Sequence, residues 1–134
     1  MKKRTVLCVD DDAAVRDYYG LLLGSTGYQV ISAANAVHAL HVFSAQSRNI
    51  DAVILDYQMP GMTGLELAVL LKRHDPVLPI VMIAGWHPCK EDMLPFVDAA
   101  MNKGVPIGYI LDRLDHLLAQ PSAVSSPPAR ESSP

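Results

Sequence analysis

The stretch Thr5-Val6-Leu7-Cys8-Val9-Asp10-Asp11 decides the fold, because it places two carboxylates directly after a short apolar run. A second run, Ile50-Asp51-Ala52-Val53-Ile54-Leu55-Asp56, also ends in an acid. Both runs have the length and composition of buried parallel strands. Ligands of an open parallel sheet bind beyond the carboxyl ends of its strands, so these acids are expected to converge there. Clustered carboxylates repel one another, and the sequence therefore predicts a site for a divalent cation with oxygen ligands.

Length and composition favour a single domain in the cytoplasm. The chain has 134 residues, and half of them are hydrophobic. Its net charge of −3 argues against non-specific binding of nucleic acid, which needs a basic surface. No apolar run reaches the length of a membrane span, and a strand follows the basic start where a signal peptide would continue with a longer apolar segment. Cys8 and Cys89 fit no disulfide framework or zinc spacing, as is usual in a reducing compartment. We expect no direct binding to nucleic acid or membrane.

Short apolar strands alternate with helical patterns along the chain. The strands are predicted at residues 4–10, 28–33, 50–55, 79–84 and 98–102. Asp12, Asn35 and Thr63 stand where the N-caps of three helices are expected, and a last helix follows Pro106. The inward positions of the second helix are predicted to be Val37, Leu40 and Phe43. This alternation predicts an α/β fold, a doubly wound five-stranded parallel sheet with helices on both faces.

Motifs of this chain resemble the receiver domain of response regulators in two-component signalling. The motifs are Val9-Asp10-Asp11 followed by Arg16, then Leu55-Asp56, and then Met59-Pro60 with Gly64. The resemblance implies a flavodoxin-like receiver fold of the chemotaxis-regulator kind, standing alone without an output domain. Residues 1–120 are assigned to this domain. Residues 121–134 are rich in Ser and Pro, and we expect a disordered tail or a linker there.

The same resemblance implies the chemistry of the site. Asp56 would accept a phosphoryl group from a phosphohistidine on a histidine kinase or phosphotransfer protein, because a carboxylate can attack phosphorus to give an acyl phosphate. Asp11 and Asp56 would bind Mg²⁺ directly, Asp10 would bind it through water, and the backbone carbonyl of Gln58 would add an oxygen. Such a protein is a phosphoacceptor and not an enzyme, apart from phosphorylating itself from small phosphodonors and dephosphorylating itself.

A receiver also needs a lysine after its fifth strand to contact the phosphoryl oxygens, and two alignments compete for it. In the first, residues 98–102 form the strand and Lys103 is that lysine. In the second, residues 108–111 form the strand and Asp112 stands in the place of the lysine. We favour Lys103, because it leaves a last helix over residues 106–119 with a complete apolar stripe.

Two switch positions depart from the family pattern. The fourth strand ends in Ala84 where a Thr or Ser is usual, and Ala100 stands where the family has an aromatic residue. The hydroxyl normally donates a hydrogen bond to the phosphoryl group, and the aromatic residue swings inward with it. A ligand shifts an equilibrium only through contacts that differ between the two states. We therefore expect another element to carry the signal.

The segment after the fourth strand is too short for a loop and a full helix. Pro95 would also interrupt a helix there, so the helix between the fourth and fifth strands is predicted to be short or irregular. Trp86 is either an anchor for a partner, a lid over the site, or a loop residue packed on the sheet edge. His87 is expected to face solvent. Divergence of this surface leaves a homodimer possible.

Three other functions have partial support in the sequence. Gly20, Gly24 and Gly27 lie at the end of the first helix, whereas a dinucleotide site needs its glycines straight after a strand. A phosphatase with an aspartyl nucleophile usually has a second acid two residues later, where this chain has Gln58. The alternative that stays open is a pseudo-receiver, a protein-binding module that works without phosphorylation. In either case, a separate downstream output protein would read the signal.

Overall fold

The structure is a computed structural model that describes residues 3–85 and 92–119. The predictions for Trp86, His87 and Cys89, and for the tail at 121–134, lie outside these residues. None of the helices within the described ranges is long and apolar enough to cross a membrane.

Five parallel strands form one sheet in the order β2-β1-β3-β4-β5. Their bounds are β1 Thr5–Val9, β2 Gln29–Ala33, β3 Ala52–Asp56, β4 Ile80–Ala84 and β5 Ala99–Asn102. The predicted sheet is confirmed, but β3 begins two residues later than expected. The reason is local: the Ile50 N–H bonds to the Ser47 carbonyl and ends a short 3₁₀ turn, Ser47–Asn49. The Asp51 side chain then accepts the Thr5 N–H at 2.8 Å, in place of a backbone carbonyl.

In the part of the chain that the structure describes, four α-helices connect or follow the strands. They are α1 Ala13–Ser25, α2 Ala36–Gln46, α3 Gly64–His74 and α4 Ile107–Ala119. The three predicted N-caps are confirmed, since the side chains of Asp12, Asn35 and Thr63 each accept a backbone N–H of the first turn. Thr63 also forms a reciprocal capping box with Glu66, which fixes the start of α3.

The core has one layer on each face of the sheet, because successive strand residues point to opposite sides. Leu7 packs in the layer under α2 and α3, while Cys8 packs in the layer under α1 and α4. Burial raises the pKa of Cys8 to about 12, so this thiol stays neutral and acts as an apolar core residue. Helices therefore cover both faces of the sheet, as the doubly wound fold requires.

One prediction for α2 was wrong. Val37 was expected to face inward, but it is 62% exposed. The buried positions are Ala36, Ala39 and Phe43. Ala36, Ala39 and Phe43 share one face of the helix, because residues three and seven positions apart lie on the same side, and this face packs in the core. Position 37 is turned away by about 100°.

The connection between β4 and β5 is described from residue 92 onward. The N–H groups of Phe96 and Val97 both donate to the Met93 carbonyl, forming a turn. Met93 is fully buried and anchors this turn to the core layer under α2 and α3. Residues 92–98 thus contain no α-helix, which agrees with the prediction of a short or irregular one over the part of the connection that is described.

Candidate functional site

Three acids meet at the carboxyl end of the sheet. Asp10 follows β1, Asp56 is the last residue of β3, and these strands are neighbours with Val9 opposite Leu55. One carboxylate oxygen from each of Asp10, Asp11 and Asp56 lies within 4.8 Å of the other two. Asp10 and Asp56 are each only 3% exposed, whereas Asp11 faces solvent. The structure therefore brings together the three acids that the sequence predicted would converge.

Burial dominates the electrostatics of the two inner acids. Loss of solvent raises the pKa of Asp10, and the charges of Asp11 and Asp12 raise it further. Loss of solvent also raises the pKa of Asp56, with the Asp10 charge adding to it and the Lys103 charge opposing it. A cation bound among these carboxylates would favour their ionised forms, so the cluster has the donor atoms and the charge that a hard divalent ion requires.

Hydrogen bonds hold both carboxylates in place. The Asp12 N–H donates to Asp10 Oδ1 at 2.9 Å. The Gln58 N–H donates to Asp56 Oδ1 at 3.3 Å, and Lys103 Nζ donates to Asp56 Oδ2 at 3.3 Å. Each oxygen of the Asp56 carboxylate thus has a donor, which fixes the orientation of the group.

The structure decides between the two alignments for the lysine. Lys103 directly follows β5, and its backbone N–H donates to the Ala84 carbonyl at 2.8 Å. Its side chain is 41% exposed and reaches the buried Asp56. Residues 108–111, the rival strand, lie within α4, and Asp112 is exposed on that helix. The fold therefore places Lys103, and not Asp112, beside the acids of the site.

The loop from β3 to α3 depends on a glycine. The Gly64 N–H donates to the Tyr57 carbonyl at 2.8 Å, so the chain folds back tightly onto the end of β3. A β-carbon at position 64 would collide with the backbone carbonyl of Asp56. This close approach is the physical reason for the glycine that follows the Met59-Pro60 pair.

Gln58 and Lys103 flank the same backbone position. A methyl group built on Gly85 would lie 3.8 Å from both Gln58 Oε1 and Lys103 Cδ. The Gln58 side chain therefore extends toward the end of β4, while its backbone N–H contacts Asp56. From the sequence, a role was predicted only for the backbone carbonyl of Gln58.

The two unusual switch positions both lie in the core layer under α2 and α3. Ala84 is 1% exposed at the end of β4, opposite Asn102, and Ala100 is partly buried in β5, opposite Met82. Neither methyl side chain can donate a hydrogen bond to a group on Asp56. The usual hydroxyl and aromatic ring have no counterpart at these two positions.

Arg16 contacts the site in a way that was not predicted from the sequence. Its Nη1 donates to the backbone carbonyl of Asp10 at 2.7 Å. The signal in the sequence was an arginine one turn into a helix that begins just after the paired acids. Only the folded backbone shows that its guanidinium turns back toward them.

The fold and the site have clear relatives. A model of the response regulator receiver domain matches residues 6–106. The phosphate regulon transcriptional regulatory protein PhoB of Pseudomonas aeruginosa is 36% identical over 87 residues, which cover 63% of this chain and 37% of PhoB. The chain thus spans little more than a third of that relative's length.

Solved structures agree with this relationship. The response regulator protein TrrA of Thermotoga maritima, in complex with Mg²⁺-BeF, gives a TM-score of 0.79 at 27% identity, covering 85% of this chain and 98% of TrrA. TrrA in complex with the histidine kinase ThkA gives a TM-score of 0.78 at 27% identity, covering 87% of this chain and 99% of TrrA. Because the family model spans the fold from β1 to the residue before α4, the chain belongs to the response regulator receiver domain family.

Proposed function

We propose that Asp56 accepts a phosphoryl group from a phosphohistidine on a histidine kinase or a phosphotransfer protein. One observation carries the proposal: the Asp56 carboxylate lies between two further acids, within 4.8 Å, and the Lys103 ammonium, at 3.3 Å. A nucleophilic carboxylate between a cation site and a fixed positive charge suits transfer of a group whose charge spreads over its equatorial oxygens. Membership of the receiver family and the ThkA complex of TrrA support this choice of donor.

The residues present fit Mg²⁺. Three carboxylates supply the hard oxygen donors that this ion prefers, and the Mg²⁺-BeF complex of TrrA supports the same choice. We assign Asp11 and Asp56 as direct ligands, Asp10 as a ligand through water, and the Gln58 carbonyl as a further oxygen. When bound, the ion supplies positive charge that offsets the carboxylates and the oxygens of the incoming phosphoryl group.

The transfer step follows from the contacts of Asp56 and Lys103. An oxygen of ionised Asp56 attacks phosphorus, the bond from phosphorus to the donor imidazole breaks, and its electron pair returns to the imidazole nitrogen, which takes a proton. The Lys103 charge lowers the pKa of Asp56 against the effect of burial, and so favours the ionised nucleophile. Lys103 then donates to a phosphoryl oxygen instead of to Asp56 Oδ2.

Phosphorylation would add about −1.5 to −2 charges at the end of β3. Ala84 offers no hydroxyl to that charge, so the neighbouring loops and Lys103 must transmit its effect. We propose that a separate output protein in the cytoplasm reads this change, without direct binding of the domain to nucleic acid or membrane. Apart from accepting the phosphoryl group of its partner, the domain at most phosphorylates itself from small phosphodonors and dephosphorylates itself.

The test is incubation with acetyl phosphate, with and without Mg²⁺, followed by intact mass measurement. We expect a gain of one phosphoryl group that requires Mg²⁺ and disappears in Asp56→Asn. Asp51→Asn is the matched control: Asp51 directly precedes β3, at the end of the strand away from the site, so its substitution should leave labelling intact. Labelling that persists in Asp56→Asn would overturn the assignment of the phosphoacceptor.

A pseudo-receiver is the second candidate, and the paired alanines Ala84 and Ala100 favour it. Under that function, the chain binds a partner with unchanged affinity whether or not a phosphodonor is present. Mg²⁺ binding without any phosphoryl gain from acetyl phosphate would select this candidate. The three intact acids argue against a pseudo-receiver. Carboxylates held close together repel one another, and a module that is not phosphorylated gains nothing from keeping them.

A further inference from the structure

The backbone carbonyl of Asp10 lies just beyond the ladder that joins β1 to β2. The Asp10 N–H donates to the Ala33 carbonyl at 3.2 Å, and β2 ends at Ala33. In a parallel ladder, the N–H and the carbonyl of one residue point to the same neighbouring strand. The Asp10 carbonyl therefore points to the side where β2 has ended. Asp10 as a whole is only 3% exposed. Arg16 Nη1 supplies the donor, at 2.7 Å.

Arg16 is well placed to act as an anchor for this loop. It lies in α1, and its own backbone N–H donates to the Asp12 carbonyl at 3.1 Å. Asp12 in turn caps α1 and donates its N–H to the Asp10 side chain. The guanidinium thus ties the start of α1 to the segment that carries the paired acids Asp10 and Asp11.

We propose that Arg16 positions Asp10 and Asp11 for metal binding by holding the Asp10 backbone carbonyl. This inference rests on the proposed function, since it concerns the same Mg²⁺ site. The contact reaches a backbone oxygen, so Arg16 acts through the geometry of the loop. Its positive charge has the opposite effect, because a cation beside three acids disfavours binding of a second cation. The direction of change on mutation therefore separates positioning from simple electrostatics.

The experiment is a calorimetric titration of the full chain with Mg²⁺. Arg16→Met should weaken Mg²⁺ binding about tenfold, the equivalent of one lost charge-assisted hydrogen bond. Arg16→Lys, which keeps the charge and one donor group, should fall between the parent and Arg16→Met. Arg73→Met is the matched control, because it removes the same charge from an exposed position in the last turn of α3 and should change the affinity by less than about twofold.

Each outcome bears on the inference. Unchanged or tighter Mg²⁺ binding in Arg16→Met overturns the inference. The same holds if the variant unfolds at a lower midpoint but its folded state binds Mg²⁺ with the parent affinity. If Arg16→Met does not fold, Arg16→Lys decides by the same criterion: weaker binding supports positioning and unchanged binding overturns it. Absence of Mg²⁺ binding in the parent chain contradicts the proposed metal site itself. Binding in the parent with no effect of Arg16 contradicts this inference alone.

Discussion

At the scale of single residues, Asp10 and Asp56 are acids in a place that disfavours their charge. Burial raises the pKa of each, and each is further raised by neighbouring acids. A carboxyl group with a raised pKa in the folded state binds protons more tightly there than in the unfolded chain. Its contribution to stability is therefore present below the unfolded pKa and is lost as pH rises through the folded value. At neutral pH without a divalent ion, these groups oppose folding.

This sign gives a prediction for Asp10→Asn. The amide keeps an oxygen to accept the Asp12 N–H but carries no charge, so the variant should unfold at a higher urea concentration than the parent at pH 7 without Mg²⁺. The advantage should shrink as pH falls through the raised pKa values, because the parent acids then become neutral. Urea unfolding followed by circular dichroism at several pH values measures the difference. An advantage that is constant with pH would argue against burial of charge as the cause.

Lys103 gives a second prediction at this scale. Lys103→Met should slow labelling of Asp56 by acetyl phosphate roughly a hundredfold, as expected for the loss of one preorganised donor to a developing charge. The acid limb of the pH–rate profile should also move to higher pH, because the Lys103 charge no longer lowers the pKa of Asp56. Lys72→Met is the control, since Lys72 pairs with Asp98 at 2.9 Å and not with the three acids of the site. A profile that stays in place would show that Lys103 does not act on Asp56 in the free protein.

At the scale of elements, tight backbone approaches set the positions of the site residues. α3 begins at Gly64, directly against the carbonyl of Asp56, and the capping box at Thr63 fixes the entry of the chain into this helix. The start of α3 and the end of β3 are therefore one rigid unit. Any widening of this contact displaces the loop that carries Gln58.

Gly64→Ala tests this unit. Its β-carbon meets backbone rather than a flexible side chain, so we expect a loss of about 1–3 kcal/mol in the free energy of unfolding and weaker Mg²⁺ binding. Gly20→Ala is the matched control: Gly20 lies within α1 with open space around its β-position, and alanine there should stabilise the protein by up to about 1 kcal/mol. Equal effects of the two substitutions on Mg²⁺ affinity would refute the special role of Gly64.

At the scale of the whole molecule, the proposed metal binding should be coupled to folding. The acids come from the ends of two strands, so the cation site exists only in the assembled sheet. An ion that binds the folded state and not the unfolded chain stabilises the protein by mass action. Burial and the Asp10 charge raise the pKa of Asp56, and the same ion would oppose both effects by favouring the ionised carboxylates.

Mg²⁺ at about 100 times its dissociation constant should therefore stabilise the protein by about 2.7 kcal/mol, and chelation should reverse the gain. Asp11→Asn should lose most of this stabilisation, because Asp11 is a proposed ligand that faces solvent, and its substitution leaves the core unchanged. Thermal unfolding with Mg²⁺, with chelator, and with NaCl at matched ionic strength measures the effect. An equal gain from NaCl would point to general screening in place of a specific site.

The sequence by itself determined the elements and the identity of the acids. Apolar runs that end in Asp10 and Asp56, and capping residues before the first three helical patterns, act over a few neighbouring positions, and these local signals can be read along the chain. They predicted the parallel sheet, the helices on both faces and the three converging carboxylates. Val37 marks the limit of such reading: Asn35 caps α2 as predicted, but the side of this helix that packs on the sheet is set by tertiary contacts.

Only the tertiary structure decided which distant groups touch. It brought Lys103 to Asp56 across the 47 positions that separate them, and it packed Gly64 against the Asp56 carbonyl. It also turned Arg16 back onto the Asp10 carbonyl, a contact that no periodic pattern in the sequence predicts. The physical reason is that strand order and register fix where chain segments far apart in sequence meet. That geometry is a property of the assembled sheet, not of any local run of residues.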